Sequence, residues 1–238
     1  MERKKIILKT MFIHKTNFLM RALYPNFIWR IPTKKKEIFL TFDDGPIPEV
    51  TEFVLEELKK YNAKATFFCI GGNIEKYPDI FQKIVNQQHT IGNHTFNHVR
   101  GWNVEDDYYL DNFNECEEII VARSSMFDVR ELEIEHQTSK NEPKRRSHRL
   151  FRPPFGRIKR SQAKEILKTH EIVMWDVLTG DYDQSISQER VLSKTLQHTE
   201  KGSIVLFHDS IKASKNMIYA LPKVLEHFSE RGFIFKSL

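Results

Sequence analysis

Apolar, strand-like runs that alternate with amphipathic helical patterns predict an α/β protein built on a parallel sheet with helical crossovers. Three observations carry that expectation: seven runs rich in β-favouring residues, helical stretches between them, and acidic, basic or histidine residues at or just beyond the ends of several runs. Length agrees with one domain, because 238 residues can bury a full core. No internal repeat is apparent.

The strand-like runs are Glu37 to Phe42, Ala65 to Ile70, His89 to Gly92, Leu150 to Arg152, Ile172 to Leu178, Ser203 to Phe207 and Phe233 to Phe235. Between the first two, Val50 to Tyr61 keeps Val54, Leu55 and Leu58 on one side and its charges on the other, which is the period of a surface helix. Ile74 to Val85 repeats that pattern. Later helices are expected at Tyr108 to Val121, Ser161 to His170, Gln188 to His198, and between Ser214 and Arg231 with Pro222 as a start or a kink. Periodicity does not show whether such a sheet closes, so an open doubly wound sheet and a barrel both remain. Either gathers the carboxyl ends of its strands on one face.

At the end of the first run stand Asp43 and Asp44, followed by Gly45 and Pro46. Neighbours in a regular strand point to opposite faces, so both acids serve one site only if the chain turns there, and the Gly-Pro pair turns it. Two adjacent buried acids need a cation or hydrogen-bond donors. A turn rich in Asp with a helix cap is the plain alternative. Half a hundred residues on come His94 and His98, whose spacing of four predicts one face of a helical turn and a pair of imidazoles for one metal. Two imidazoles and one carboxylate leave a position for water, and the second acid is then available for proton transfer. A metallohydrolase follows.

The chain resembles the NodB-type polysaccharide deacetylases, carbohydrate esterase family 4, in five ordered motifs: Thr41 to Pro46 (TFDDGP), His94 to His98 (HTFNH), Arg152 to Gly156 (RPPFG), Asp181 with Tyr182, and Leu206 to Asp209 (LFHD). The likeness runs from about Lys36 to the C-terminus. It implies a distorted, incomplete (β/α)7 barrel, a single NodB homology domain. It further implies Asp44, His94 and His98 as ligands of a divalent metal, zinc first, with Co2+ or Ni2+ admitted by the same donor set. Asp43 resembles the general base, Arg152 its ion-pair partner, His208 the general acid and Asp181 the carboxylate that steadies its imidazolium. Pro154 and Phe155 fall on the substrate side, with a backbone N–H near Phe155 meeting the oxyanion, and Tyr182 and Leu206 would form the acetyl-methyl pocket. Many relatives carry Trp where this chain has Tyr182. Singly, each residue has a plainer explanation: His208 as a strand end, Arg152 as a surface arginine beside a Pro-Pro turn, Asp181 as a turn acid, Leu206 as core.

Two stretches depart from this pattern. Residues 123–148 read as a polar insertion, a solvated loop or a lid, with a short strand or hairpin allowed by Val129, Leu132 and Ile134. Residues 1–35 read as a basic N-terminal extension in which Lys9, His14 and Lys15 interrupt the apolar residues before a signal-peptide core forms. A short amphipathic helix packed on the barrel base or resting as a peripheral contact on a membrane is expected there, and no stretch spans a bilayer. Compartment stays open: the cytoplasm is slightly favoured, and the periplasm or cell surface are kept because the family often acts on exported polymers. Net charge of +5 is modest and comes with no nucleic-acid motif, and two cysteines in different elements, without C-x-x-C spacing, argue against a disulfide framework. Oligomeric state is unreadable.

The expected reaction is hydrolysis of N-acetyl groups on N-acetylglucosamine units of an acetylated glycan. Ester hydrolysis on O-acetylated xylan is the near alternative. A catalytically silent carbohydrate-binding protein would lack Asp43, Arg152 or His208, and a structural zinc domain would offer four protein ligands rather than three.

Overall fold

The computed structural model describes residues 14–131 and 149–238. Eight parallel strands form the sheet: β1 (Glu37–Asp43), β2 (Ala65–Cys69), β3 (Thr90–Asn93), β4 (Leu150–Phe151), β5 (Glu171–Ile172), β6 (Val177–Leu178), β7 (Ile204–His208) and β8 (Ile234–Phe235). Their order is β5-β4-β3-β2-β1-β7-β6, with β8 added beside the start of β1. The expected run Ile172 to Leu178 is thus two short strands, one pairing with β4 and the other with β7. That split explains why the barrel is distorted and incomplete, as expected of its α/β class: one stretch of chain leaves the first edge and joins the last.

Helices cross between the strands: α1 (Phe18–Leu23), α2 (Val50–Lys60), α3 (Gly71–Lys76), α4 (Pro78–Asn86), α5 (Asp106–Glu131), α6 (Arg160–Ile166), α7 (Gln188–His198) and α8 (Ile211–Ser229). The single helix expected at Ile74 to Val85 is broken at Tyr77, because Pro78 opens α4 at its first position. In contrast α8 runs straight through Pro222. Residues 123–131, expected to begin the insertion, continue α5 as helical backbone, while 132–148 lie outside the described residues.

Strand periodicity divides the interior in two. In β1 Ile38, Leu40 and Phe42 enter the large cluster that α2 and α8 cover, as do Phe67 in β2 and Phe207 in β7. The alternate residues Phe39, Phe68 and Ile204 face the barrel interior, and Thr41 and Asp43 continue that row toward the carboxyl end. Both faces of β1 are therefore buried, which accounts for its nearly unbroken apolar run.

The expected extension is in contact with the sheet from residue 14 onward. Lys15 bridges Val177 and Ile28 bridges Val173, so this segment lines the gap that the divided strand leaves. Trp29 is buried in a second apolar cluster with Phe151 and Ile172. The basic residues expected to form an amphipathic helix before residue 14 lie outside the described residues. Among the described residues no helix is long and apolar enough to cross a membrane.

Candidate active site

Register brings the motif residues together. Asp43 is level with His208 across the β1–β7 pairing, and Asn93, just before His94, is level with Phe151, just before Arg152. Since all strands are parallel, their carboxyl ends share one rim. A cleft of about 470 Å³ opens there, bounded by Asp43, Asp44, His94 and His98 on one side and by Leu178, Leu206, Tyr182 and His208 on the other. Arg100, Phe155, Trp175 and Lys212 complete its wall.

Asp44 leaves the strand with φ of 83°, and this left-handed turn lets both neighbouring carboxylates face the same cleft. Asp209 fastens the turn: its Oδ1 accepts from Gly45 N–H at 2.9 Å and its Oδ2 from the Thr51 hydroxyl at 2.6 Å. A side chain on Gly45 would meet Asp209 Oδ2 at 1.9 Å, so the close approach requires glycine. Burial raises the Asp209 carboxyl to about 7, the Thr51 bond opposing and the nearby Asp44 charge adding to the rise.

His94 and His98 do converge, but not on a helical turn as their spacing predicted. Thr95 (φ 62°) and His98 (φ 54°) break the helix, and side-chain amide and hydroxyl oxygens take over its hydrogen bonding. Asn93 Oδ1 accepts from Thr95 N–H, Thr95 Oγ1 accepts from Val99 N–H, and Asn112 Oδ1 accepts from Asn97 N–H. Such local bonds compete with helix formation and hold a loop in its place. The two rings end 5.1 Å apart between centroids.

The donor set fits a cation. One ligand atom each from Asp44, His94 and His98 lies within 4.8 Å of the others. Asp44 Oδ1 is buried without a hydrogen-bond partner, although His98 Nε2 is 3.2 Å away and His94 Nε2 is 3.7 Å away. An orphaned buried acceptor costs about 1–3 kcal/mol, so three lone-pair atoms facing one another without a proton between them call for a positive ion. Both imidazoles are biased toward the neutral form that ligates. Burial holds His94 well below its ordinary value, helped by His98, and burial likewise lowers His98. The Arg152 carbonyl accepts from His94 Nδ1–H at 2.7 Å, which leaves Nε2 bare toward Asp44.

Asp43 is held differently. Arg152 is fully buried, donating from Nη1 to Asp43 Oδ1 at 2.7 Å and to Thr41 Oγ1 at 2.8 Å, from Nε to Val173 O and from Nη2 to Met174 O. Its guanidinium lies 4.1 Å from the centre of the Phe68 ring. Four of the five guanidinium N–H donors are thus engaged, and only one carboxylate oxygen of Asp43 is consumed. The other, Oδ2, points into the cleft 3.8 Å from His94 Nε2.

Across the cleft, His208 Nδ1–H donates to Asp181 Oδ1 at 2.8 Å, and its backbone N–H donates to Asp181 Oδ2 at 2.7 Å. Burial disfavours the imidazolium, but the Asp181 carboxylate, aided by Asp44 and Asp43, outweighs it and lifts His208 to about 9. Asn216 Nδ2 in turn donates to the Asp181 carbonyl at 3.1 Å. Tyr182 packs edge-on against the His208 ring at 4.9 Å.

Of the residues expected on the substrate side, Phe155, Tyr182 and Leu206 line the cleft. Pro154 does not: it is the buried first residue of the 3-10 turn of residues 154–156, whose Phe155 (φ 59°) is half-exposed instead. The Phe155 ring rests 4.5 Å from the His98 ring and carries the Arg100 guanidinium at 4.2 Å on a face. Sequence reading gave no role to Asp209, Thr51, Asn216 or Arg100. Only Asp209 carried a usable signal, as a second acid directly after His208 at a strand end.

Comparison with known proteins agrees with this geometry. A family model described as polysaccharide deacetylase matches residues 30–131. A peptidoglycan-N-acetylglucosamine deacetylase of Bacillus cereus is 33% identical over 209 residues, which covers 87% of this chain and 68% of that protein. The chain belongs to the NodB-type polysaccharide deacetylases. A chitooligosaccharide deacetylase of Azorhizobium caulinodans is 29% identical over 227 residues, covering 88% of this chain and 96% of its own. The crystal structure of the Bc1960 peptidoglycan N-acetylglucosamine deacetylase, in complex with 4-naphthalen-1-yl-N-oxidanyl-benzamide, superposes with a TM-score of 0.76 at 32% identity, covering 94% of this chain and 95% of that one. The family and the fold are therefore those of a hydrolase acting on amide bonds of polysaccharides.

Proposed function

We propose that this deacetylase removes N-acetyl groups from N-acetylglucosamine units of an oligo- or polysaccharide, of the peptidoglycan or chitooligosaccharide kind, releasing acetate. The observation that carries the reading is the orphaned Asp44 Oδ1 facing two bare imidazole nitrogens, with a second carboxylate beside it that is pinned by Arg152 and has one oxygen to spare. The names of the relatives, peptidoglycan-N-acetylglucosamine deacetylase and chitooligosaccharide deacetylase, support the substrate class.

Asp44, His94 and His98 would hold a divalent cation, with Zn2+ the best match to two imidazoles and a carboxylate and Co2+ or Ni2+ tolerated. When bound, such an ion acidifies water and polarises a carbonyl. Asp43 accepts the proton of the attacking water at Oδ2, while Arg152 keeps its carboxylate ionised and aimed. His208, protonated through Asp181, gives its Nε2 proton to the departing amine as the tetrahedral intermediate collapses. A backbone N–H near Phe155 adds hydrogen bonding to the oxyanion. Leu206 and Tyr182 receive the acetyl methyl in the apolar part of the cleft, and Phe155 offers its exposed face to a sugar ring. We assign residues 36–238 as the catalytic unit, with residues 14–35 completing its packing.

Acetate release from chitooligosaccharides, peptidoglycan fragments and acetylated xylan, before and after chelation and with metal restored, tests the reading. Metal-restored release from the amide substrates is expected. Release from xylan alone would make the enzyme an O-acetyl esterase, and full activity after exhaustive chelation would remove the cation from the account.

A further inference from the structure

Two arginines and a lysine line the cleft, and the reaction proposed above uses none of them. Arg100 comes shortly after His98 in the chain, and Arg157 directly follows the Pro154–Gly156 turn. These two stretches are locked together. Trp102 Nε1–H donates to Ile158 O at 3.0 Å and Gln162 Nε2–H donates to Gly101 O at 3.0 Å, while a side chain on Gly101 would meet Arg157 O at 3.0 Å and Ile158 Cα at 3.2 Å. Each stretch gives the other an aromatic ring and takes a cation in return. The Arg100 guanidinium lies 4.2 Å from the centre of the Phe155 ring, and the Arg157 guanidinium lies 5.0 Å from that of Trp102. Phe155 in turn rests 4.5 Å from the His98 ring, so both guanidinium groups stand on the wall that carries the histidine pair.

Stacking occupies the face of a guanidinium and leaves its in-plane N–H donors for another partner. Among the described residues neither side chain has a hydrogen-bond or ion-pair partner. The carboxylates within reach are committed elsewhere. Asp43 and Asp44 are the acids that line the cleft; Arg152 holds the first and the two imidazoles face the second. Asp106, which shares the Gln162 amide with Gly101, is paired with Lys159 at 3.4 Å, and Asp183 accepts from the Ser185 N–H and hydroxyl. Glu105 and Asp107 are exposed and outside the cleft lining. On the opposite wall Lys212, 5.7 Å from the centre of the Tyr182 ring, adds a third cation. Two planar donor forks fixed on one wall match the paired oxygens of a carboxylate better than anything a neutral sugar offers.

We infer that Arg100 and Arg157 form a subsite for a carboxylate carried by the sugar next to the one being deacetylated, so that the preferred substrate is an acidic glycan rather than a neutral one. The inference rests on the cleft being the site of acetamide hydrolysis and adds to it the charge of the neighbouring sugar. The two arginines bind and select; they take no part in proton transfer.

Peptide-free peptidoglycan strands, in which every second sugar carries a lactyl carboxylate, test it against the same strands after carbodiimide coupling of those carboxylates to methylamine. For the parent, kcat/KM for acetate release should be about tenfold higher on the free carboxylates, mainly through KM, with a margin that shrinks at high salt. Arg100→Gln with Arg157→Gln should bring the ratio close to one, and Glu at both positions should invert it. Lys at both positions should keep part of the margin, a rescue that a purely structural role would not give. Cooperative thermal melts like the parent's show that the variants fold, and the parent comparison decides even where a variant does not. Equal kcat/KM on the two forms by the parent would overturn this inference and leave the deacetylase reading standing. So would a margin that persists in the folded Gln and Glu variants. Acetate from neither form, nor from a chitooligosaccharide, would overturn the reaction itself and this inference with it.

Discussion

One wall of the cleft holds His94 and His98, the other holds His208, and the same imidazole is driven in opposite directions across one cavity. His94 and His98 fall below their ordinary value because burial outweighs what the nearby carboxylates return, Asp44 at His94 and both Asp44 and Asp43 at His98. His208 is lifted to about 9 because a buried carboxylate, Asp181, is bonded to its Nδ1–H and to its backbone N–H. Burial alone disfavours the charged form of each. The partner decides, and it leaves two bare nitrogens that can hold a cation facing one nitrogen that can give up a proton. Asp43 and Asp44 repeat the lesson in acids: the first is paired with Arg152, the second has an oxygen with no partner.

Removing Asp43, the proposed base, should break this arrangement most severely. Asp43→Asn is expected to lower kcat/KM by roughly 10³-fold or more while metal content is unchanged. Turnover close to the parent's would mean the base lies elsewhere. Next comes the acid wall. Asp181→Asn should lower kcat by about 10²-fold and shift the alkaline limb of the pH profile to lower pH, because His208 loses the charge that keeps it protonated. An unmoved alkaline limb would detach His208 from proton transfer.

The same pair has a stability consequence in metal-free protein. A folded-state pKa raised from 6.5 to about 9 contributes stability that is fully present below 6.5 and is lost as pH rises through about 9. Thermal melts between those limits should therefore show a downward slope that Asp181→Asn flattens. A slope retained in the variant would point to another group.

Smaller effects are expected where side chains act through others. Asp209→Asn keeps an acceptor for the Gly45 N–H but disturbs the bond to Thr51, so metal affinity should weaken by about tenfold with kcat at saturating metal little changed. A fall in kcat with affinity intact would give Asp209 a different part. Phe155→Ala should raise KM a few-fold on oligosaccharides by removing an exposed ring face beside His98. Unchanged KM would place the sugar on another wall.

Legibility in the sequence followed the same physics. Strands buried on both faces announced themselves as apolar runs, so the parallel sheet could be read before any coordinates, and Asp43, Asp44, His94, His98, Arg152, Asp181 and His208, singled out near the ends of those runs, lie together at the carboxyl rim. What escaped was set by side-chain bonding that periodicity does not encode. The histidine pair is presented by a loop because Asn93, Thr95 and Asn112 satisfy its backbone. Pro154 is buried in a turn whose next residue, Phe155, stands at positive φ. Asp209 holds the Asp43–Asp44 turn through two contacts, one to a residue that neighbours Asp44 in sequence and one to a residue in α2. The run through residues 172–178 divided because its halves pair with strands on opposite edges of the sheet, a long-range fact that no local window contains.

Calorimetric titration of chelated protein with Zn2+ tests the division of labour between the two acids most directly. The parent chain should take up one ion, Asp43→Asn should take up one ion with similar affinity, and Asp44→Ala should lose the high-affinity uptake altogether. Uptake that survives in Asp44→Ala and disappears in Asp43→Asn would reverse the roles assigned to the two carboxylates and contradict the account.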